Sequence, residues 1–208
     1  MKKTYVLIIV VMVISFLALN ANAFDGKRKG FILGGGIGPG VTLLKSTVSY
    51  SSWFDEHEYS ESSDWESKFG LITNFKIGYA PSDHVEIYFT VKDSWYGSTI
   101  YWGGLESEDV VMASGFWGPG VTYYFKPEAP SYFITGGFGL STLSLPFESD
   151  AEIKFGGGVF AGAGYEFARH YSVELDLMWG KVSNFALFGI DEDTSVLTVA
   201  LTFNALAF

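Results

Sequence analysis

Residues 171–179 decide the fold, and their sequence is Tyr-Ser-Val-Glu-Leu-Asp-Leu-Met-Trp. A large apolar or aromatic side chain occupies every second position from Tyr171 to Trp179. Glu174 and Asp176 fall between these positions, and therefore project to the opposite face of an extended chain. A period of two residues predicts a β-strand with one apolar face and one polar face.

The same alternation recurs along most of the chain. In the segment 85–92, apolar residues at odd positions alternate with Glu, Tyr, Thr and Lys at even positions. Eight strands are predicted, over residues 30–44, 69–80, 84–94, 110–125, 131–145, 153–168, 171–182 and 196–203. Several of them reach the roughly 9 to 11 residues that a tilted strand needs to cross a bilayer. Pro39 predicts a bulge or the upper end of the first strand, because proline cannot donate to a central ladder.

The composition fits one folded domain and excludes several classes of function. The 208 residues carry a net charge of −10, 18% aromatic residues and a mean hydropathy of +0.22, which argues against disorder. Arg28 and Arg169 are the two arginines, so the chain lacks the basic face of a nucleic-acid-binding protein. The absence of cysteine excludes disulfides, thiol catalysis, thiolate metal sites and lipid attachment through cysteine.

The first 23 residues have the pattern of a cleaved signal peptide. Lys2 and Lys3 precede an apolar run over 6–19, and residues 21–23 read Ala-Asn-Ala, a small-x-small cleavage pattern. The alternative is a permanent N-terminal anchor, but a membrane-spanning helix needs roughly 20 apolar residues. We therefore predict a signal peptide at 1–23 and one exported domain at 24–208.

Alternation alone does not decide which face lies inside, because a soluble ligand-binding barrel has its apolar face inward. The connections after the second, fourth and sixth strands are short, whereas the others are generally longer and include 46–68. Transmembrane barrels place short turns on the periplasmic side and long loops outside. The polar face also concentrates glycines and charges, which is unsuited to a dry core. We therefore predict that the apolar face meets lipid.

Aromatic residues recur on the apolar face at the short-turn end of the strands. A membrane interface favours such a girdle, because an aromatic ring keeps its apolar body in lipid and tyrosine keeps its hydroxyl at the headgroups. The predicted girdle consists of Phe31, Tyr79, Phe125, Tyr132, Phe167, Tyr171 and Phe203.

Two segments resemble recurring elements of a known family. Residues 118–125 read Gly-Pro-Gly-Val-Thr-Tyr-Tyr-Phe, and residues 162–167 read Gly-Ala-Gly-Tyr-Glu-Phe. They resemble the small bacterial outer-membrane β-barrel superfamily, which includes the OmpA N-terminal domain, OmpX, OmpW and the opacity proteins. The resemblance spans nearly the whole domain and implies an all-β protein, an eight-stranded antiparallel transmembrane up-and-down β-barrel, in the bacterial outer membrane.

The family's assembly signal lies in the C-terminal strand, ends on an aromatic residue and has apolar residues at alternate preceding positions. Residues 197–203 fit this pattern and end at Phe203, whereas counting back from Phe208 breaks the alternation. Either the signal ends at Phe203 and residues 204–208 overhang, or a bulge near Ala205 changes the face. The resemblance implies that the barrel-assembly machinery recognises this strand.

Charged residues on the predicted inner face define a candidate lumen site. It consists of Lys76, Glu86, Lys92, Lys154, Glu166, Glu174 and Asp176. Folding the sixth and seventh strands about Arg169 pairs Glu174 with Gly164 and Asp176 with Gly162, so that glycines leave room for the carboxylates. Such charges are costly in a barrel interior unless they are paired or hydrated. The lumen is therefore predicted to be either a salt-bridged polar plug or a narrow water-filled path.

The sequence favours neither catalysis nor metal binding. His57 lies in the acidic first loop, while His84 and His170 lie at tight turns on the periplasmic side. Ser172 follows His170 by two residues, but neighbours that alternate across a strand do not readily place a base within hydrogen-bond reach of a nucleophile. Neither that loop nor residues 191–193, Asp-Glu-Asp, has a defined calcium-loop spacing. We predict no enzymatic activity, no cofactor and no metal.

The predicted function is that of a structural or surface-interaction barrel with a polar plugged lumen. The alternative is a narrow porin-like channel, whereas inward charges disfavour a hydrophobic conduit of the OmpW kind. The expected partners are outer-membrane lipid and lipopolysaccharide, the assembly machinery and an extracellular ligand at loop 46–68, with no nucleic acid. The loop carries aromatic residues beside its charges, as binding surfaces often do. They are Tyr50, Trp53, Phe54, Tyr59 and Trp65. The barrel is expected to be a monomer.

Overall fold

The structure is a computed structural model, and it describes residues 27–51, 58–102, 106–148, 153–183 and 190–208. The predicted signal peptide therefore lies outside the described residues. No helix among the described residues is long and apolar enough to cross a membrane, a finding that does not bear on crossing by strands.

The described chain consists of antiparallel strands joined by turns. Their bounds are β1 Gly30–Ser51, β2 Glu58–Ser62, β3 Glu66–Ser82, β4 Val85–Trp102, β5 Glu106–Tyr124, β6 Ser131–Ser144, β7 Lys154–Ala168, β8 Tyr171–Ser183 and β9 Ile190–Ala207. Most are longer than the sequence predicted, because pairing continues beyond the apolar part of each strand.

Eight of these strands form a closed barrel. The pairing order runs from β1 through β3, β4, β5, β6, β7 and β8 to β9, and β9 pairs back with β1. Closure gives every barrel strand two hydrogen-bonded neighbours and leaves no free edge, which is the condition for crossing a bilayer with strands. The prediction of a closed eight-stranded antiparallel up-and-down barrel is confirmed.

The predicted loop 46–68 is largely a hairpin, so its boundaries were wrong. β1 continues to Ser51 and pairs with β2. β2 thereby continues along β1 the pairing that β3 makes with residues 30–44. Leu44 pairs with Glu66 and Thr47 pairs with Ser62, so three residues of the returning strand lie opposite two of β1. This arrangement is a β-bulge. Residues 52–57, including His57, lie outside the described part of the chain.

The short connections lie together at one end of the barrel. They are the turns 83–84, 125–130 and 169–170, and β1 begins and β9 ends at the same end. His170 adopts a positive φ of 74° in the two-residue turn 169–170. The opposite end carries the long extensions of β1, β4, β5 and β9, so the two ends differ in length as the sequence predicted.

Two predicted irregularities are absent from the strands. Pro39 lies in the middle of β1, where the ladder to β9 is interrupted without a change of register, so it marks neither a bulge nor the end of the strand. β9 pairs regularly with β1 as far as Ala207, so there is neither a bulge near Ala205 nor an overhang from residue 204. Phe208 is buried, in contrast to Phe203, which is 49% exposed on the outer face.

The two faces of the strands differ sharply. On β8, Leu175 and Leu177 are half exposed, whereas Asp176 between them is 1% exposed. The same contrast holds on β4, where Ile87 is exposed and Glu86 is buried. The outer surface of the barrel is therefore a continuous apolar belt, which a water-exposed protein would not carry.

Candidate functional site

The charged residues predicted for the lumen all face inward, but they form separate groups along the barrel rather than one network. Lys76 Nζ lies 2.9 Å from Glu86 Oε2 on the adjacent strand. Lys154 Nζ lies 2.9 Å from Glu192 Oε2, near the end with the long strands. The remaining four residues belong to a central group and to a group at the short-turn end.

Lys92 is the centre of the middle group. Its Nζ donates to Glu174 Oε1 at 2.7 Å and to Asp176 Oδ2 at 2.6 Å. Lys92 is on β4 and both carboxylates are on β8, which stands opposite β4 in the closed barrel. The ion pair therefore crosses the lumen from wall to wall, and we call it the transverse ion pair.

Neighbouring side chains complete the middle group, but not every polar atom has a partner. Asn204 donates to Glu174 at 3.4 Å, and Asn74 donates to Asn204 at 2.8 Å. Asp176 Oδ1 in this group, and Glu86 Oε1 in the neighbouring pair with Lys76, are buried without a hydrogen-bond partner. A cavity of about 10 Å³ lies beside the group, which is room for about one water molecule.

Arg28, which was not among the predicted site residues, lies inside the short-turn end of the barrel. Its guanidinium pairs with Glu166, and Nη1 donates to the carbonyls of Asp83 at 2.9 Å and Lys126 at 2.8 Å. Its Cζ lies 3.9 Å from the centre of the Tyr124 ring. One buried side chain, 2% exposed, thus connects two turns and the wall strand β7.

Two sequence signals could have identified Arg28. It is one of two arginines in the chain, and it lies two residues before the first strand. Gly30 follows it with a φ of +135°, a conformation that L residues rarely adopt. A glycine at this position lets the chain turn as it enters β1, and Arg28 lies inside the barrel.

The lumen is less polar than the sequence predicted. The side chains of a buried apolar cluster fill it between and beyond the ion pairs. The cluster consists of Ile32, Ile72, Ala80, Tyr88, Phe116, Phe160, Met178, Ala200, Leu206 and Phe208. The rings of Phe116 and Phe160 meet edge to face with centroids 4.9 Å apart. These rings fit because glycines face them, and a Cβ at Gly139 would lie 3.1 Å from the Phe116 ring.

The glycines of β7 have different roles. The register places Gly162 opposite Asp176 and Gly164 opposite Glu174. A Cβ at Gly162 would meet the Asp176 carboxylate, so this glycine leaves room for the charge. A Cβ at Gly164 would instead meet the ring of Phe133, so this glycine accommodates an aromatic side chain.

The end with the long strands contains an open cavity of about 770 Å³, which we call the cup. Its walls are the inner faces of β1, β3, β4, β5, β6, β7 and β9. Lys154 and Glu192 lie in its wall. On the outer face nearby, hydrogen bonds from Lys181 and Ser183 lower the pKa of the Asp193 carboxyl.

The predicted aromatic girdle lies on the outer surface at the short-turn end. All seven side chains, Phe31, Tyr79, Phe125, Tyr132, Phe167, Tyr171 and Phe203, are between 43% and 67% exposed. Phe203 packs against Phe167 and Tyr171 with ring centroids about 6 Å apart. The rings therefore form a band that surrounds the end of the apolar belt.

The two described histidines lie in turns and form hydrogen bonds with the backbone. His84 and His170 each place Nδ1 within 2.9 Å of a backbone carbonyl, that of Tyr124 and that of Leu206 respectively. Within the described ranges, no group of three or more His, Asp or Glu side chains could hold a metal ion.

Comparison with known proteins identifies the fold. No protein-family model matches the chain, and no curated protein matches it by sequence. The structure is similar to the outer membrane protein OprG from Pseudomonas aeruginosa, with 14% identity, a TM-score of 0.54 and coverage of 87% of this chain and 97% of OprG. AlkL is a weaker match, with 11% identity, a TM-score of 0.44 and coverage of 88% of this chain and 92% of AlkL. Neisserial surface protein A is another, with 14% identity, a TM-score of 0.42 and coverage of 83% of this chain and 97% of that protein.

At 14% identity, the likeness to OprG shows the fold of this chain and not its role. The chain is a small β-barrel of the bacterial outer-membrane type, and its exposed apolar belt requires lipid around it. In such barrels the short turns face the periplasm. We therefore expect the cup to face the cell exterior and Arg28 to lie at the periplasmic end.

Proposed function

We propose that this outer-membrane barrel does not conduct solutes and acts at the cell surface, with the cup as its interaction surface. One observation carries the proposal: below the cup, side chains fill the lumen. A pocket of about 270 Å³ lies at the short-turn end, beside Arg28, Glu166 and Phe208. Between this pocket and the cup, two small cavities, one beside Lys92 and one beside Phe116, have volumes of about 10 Å³ each. Neither has room for a hydrated ion or a small solute.

Three groups of side chains support a closed lumen. The transverse ion pair and Arg28 follow one another toward the short-turn end, and the apolar cluster fills the space between and beyond them. Opening a path would require breaking buried ion pairs, which leaves charges without partners at a cost of several kcal/mol each. A filled lumen of this kind is more consistent with a protein that presents a binding surface to the cell exterior than with one that transports solutes.

A narrow channel is the second candidate function. The unpartnered carboxylate oxygens of Glu86 and Asp176 favour it, because buried oxygens of this kind can hold water or a passing cation.

We further propose that the barrel has no enzymatic activity and is a monomer. It would contact lipopolysaccharide through its outer surface and the assembly machinery through β9, in which the outward-facing residues from Val199 to Phe203 present the signal.

Single-channel recording in planar bilayers distinguishes the two candidates. The purified wild-type barrel, with its folded state checked by a shift in gel mobility on boiling, is expected to give no discrete current steps. Reproducible steps whose ion selectivity changes in Lys92→Met would contradict the proposal and establish the channel.

A further inference from the structure

The buried charges in the middle of the lumen do not balance. Three carboxyl groups face inward there, against two ammonium groups. Glu86 has an ammonium of its own, that of Lys76 at 2.9 Å. Glu174 and Asp176, which we call the carboxyl pair, share the single ammonium of Lys92. One buried negative charge therefore lacks a counter-charge within the described part of the chain, and an uncompensated buried charge is costly.

The two members of the carboxyl pair are close neighbours. They lie two positions apart on β8 and therefore project from the same face of the strand. Their carboxyl groups lie within hydrogen-bond reach of each other as well as of Lys92. An ionised carboxylate can only accept a hydrogen bond, so two ionised groups cannot bond to each other. A proton on either group turns this contact into an O–H···O bond, and two carboxyls that share a site seldom both ionise.

The unpartnered oxygen of Asp176 does not reach the water-sized cavities of the lumen. Its Oδ1 is buried without a hydrogen-bond partner, on a residue 1% exposed. Asp176 lines neither the cavity beside Lys92 nor the cavity beside Phe116, each of which has room for about one water molecule. A Cβ at Gly162 would overlap Oδ1, so the wall of β7 lies directly against the carboxylate. A proton needs no cavity, and it can supply the missing positive charge where a hydrated cation does not fit.

We propose that the carboxyl pair binds one proton in the folded barrel at neutral pH. The proton lies between Glu174 and Asp176, and the pair as a whole then carries one negative charge against the ammonium of Lys92. The inference goes beyond the proposed function, because a filled lumen and a conducting lumen would both contain the pair.

The surroundings of the pair leave its charge to Lys92. The other residues that face it are Lys76 on β3, Tyr88 on β4, Gly162 and Gly164 on β7, and Asn204 on β9. Among these described neighbours Lys76 alone carries a charge at neutral pH, and its ammonium pairs with Glu86.

The bound proton makes the stability of the barrel depend on pH. The unfolded chain does not hold this proton at neutral pH, because an exposed carboxyl is ionised there. Raising the pH removes the proton from the folded barrel and leaves two carboxylates on one ammonium, so the free energy of unfolding is expected to fall. Urea unfolding in detergent micelles from neutral to alkaline pH measures this fall. The wild-type slope is expected to exceed that of Asp176→Asn or Glu174→Gln by the equivalent of about one proton, since each variant leaves one carboxyl for one ammonium.

Infrared spectroscopy of the folded barrel detects the proton directly. In a detergent without carbonyl groups, the wild type at neutral pH is expected to show the C=O stretch of a neutral carboxylic acid. Asp176→Asn and Glu174→Gln are each expected to lose this band, and either variant suffices if the other does not fold. The matched control is Asp93→Asn, because Asp93 follows Lys92 on β4 but faces outward, where it accepts a hydrogen bond from Trp117 at 3.2 Å. The band that Asp176→Asn loses is expected to remain in Asp93→Asn.

Three results would overturn the inference. A wild-type spectrum without the band would show that both members of the carboxyl pair are ionised. A band that persists in both Asp176→Asn and Glu174→Gln would belong to another group. A stability that follows the sodium concentration at constant ionic strength would indicate a bound metal ion in place of the proton.

Discussion

Replacing Lys92 with alanine is expected to lower the free energy of unfolding by about 3 to 5 kcal/mol. The substitution leaves Glu174 and Asp176 side by side in the lumen without their shared cation. Neither carboxylate can turn to water, because they are 6% and 1% exposed. The measurement is urea unfolding in detergent micelles, followed by the loss of the compact, heat-sensitive band on gels.

A matched variant separates the lost charge balance from lost packing. Lys92→Met with Glu174→Gln and Asp176→Asn removes all three charges and keeps similar volumes. Because a neutral lumen leaves no unpaired charge, this triple variant is expected to recover most of the lost stability. A Lys92→Ala barrel as stable as the wild type would show that the transverse ion pair does not hold the walls together.

Replacing Arg28 with alanine is expected to cost a similar amount, about 3 to 5 kcal/mol. The change leaves Glu166 buried without its cation and leaves the carbonyls of Asp83 and Lys126 without a donor. Arg28→Lys is expected to recover part of the loss, because a lysine supplies charge but not the flat, forked donor set that stacks on Tyr124. The same unfolding assay measures both variants.

Lys29 provides the control for Arg28. It is exposed beside Arg28, and the hydrogen bond it makes to Asp83 comes from its backbone nitrogen. Lys29→Ala removes the same charge from the same segment and is expected to change stability by less than about 0.5 kcal/mol. Equal losses in Arg28→Ala and Lys29→Ala would contradict the role assigned to the buried guanidinium.

The sequence predicted the architecture wherever a strand has one polar and one apolar face. On β4 from Val85 to Lys92 and on β8 from Tyr171 to Leu177, apolar and polar residues alternate. The period therefore predicted both the strands and which of their faces points inward. On β5, β6 and β7 the inner face carries Phe116, Phe133 and Phe160. Apolar residues on both faces conceal the period, and so the sequence could not show that the lumen is partly apolar.

Candidate site residues were found where the charge lies within an alternating strand. Lys92, Glu174 and Asp176 were recognised in this way, but Arg28 precedes the first strand, where no periodicity applies. The extent of the first hairpin also escaped prediction, because residues 45–51 are mostly polar, with three serines and one threonine, and pair through the backbone. Pairing of this kind leaves no hydrophobic pattern in the sequence.

The reactivity of single cysteines along the inner face of β4 tests the closed, oriented barrel most directly. The chain has no cysteine, so each introduced thiol is the only one that can react. On intact cells, a membrane-impermeant maleimide is expected to label Ser98→Cys, which lines the cup. It is expected to spare Ser94→Cys and Thr90→Cys, at positions 0% and 1% exposed below it.

Lys126→Cys, in an exposed periplasmic turn, completes the measurement. It is expected to react only after the outer membrane is permeabilised. Labelling of Thr90→Cys on intact cells would contradict a filled lumen, and labelling of Lys126→Cys in place of Ser98→Cys would contradict the orientation of the barrel.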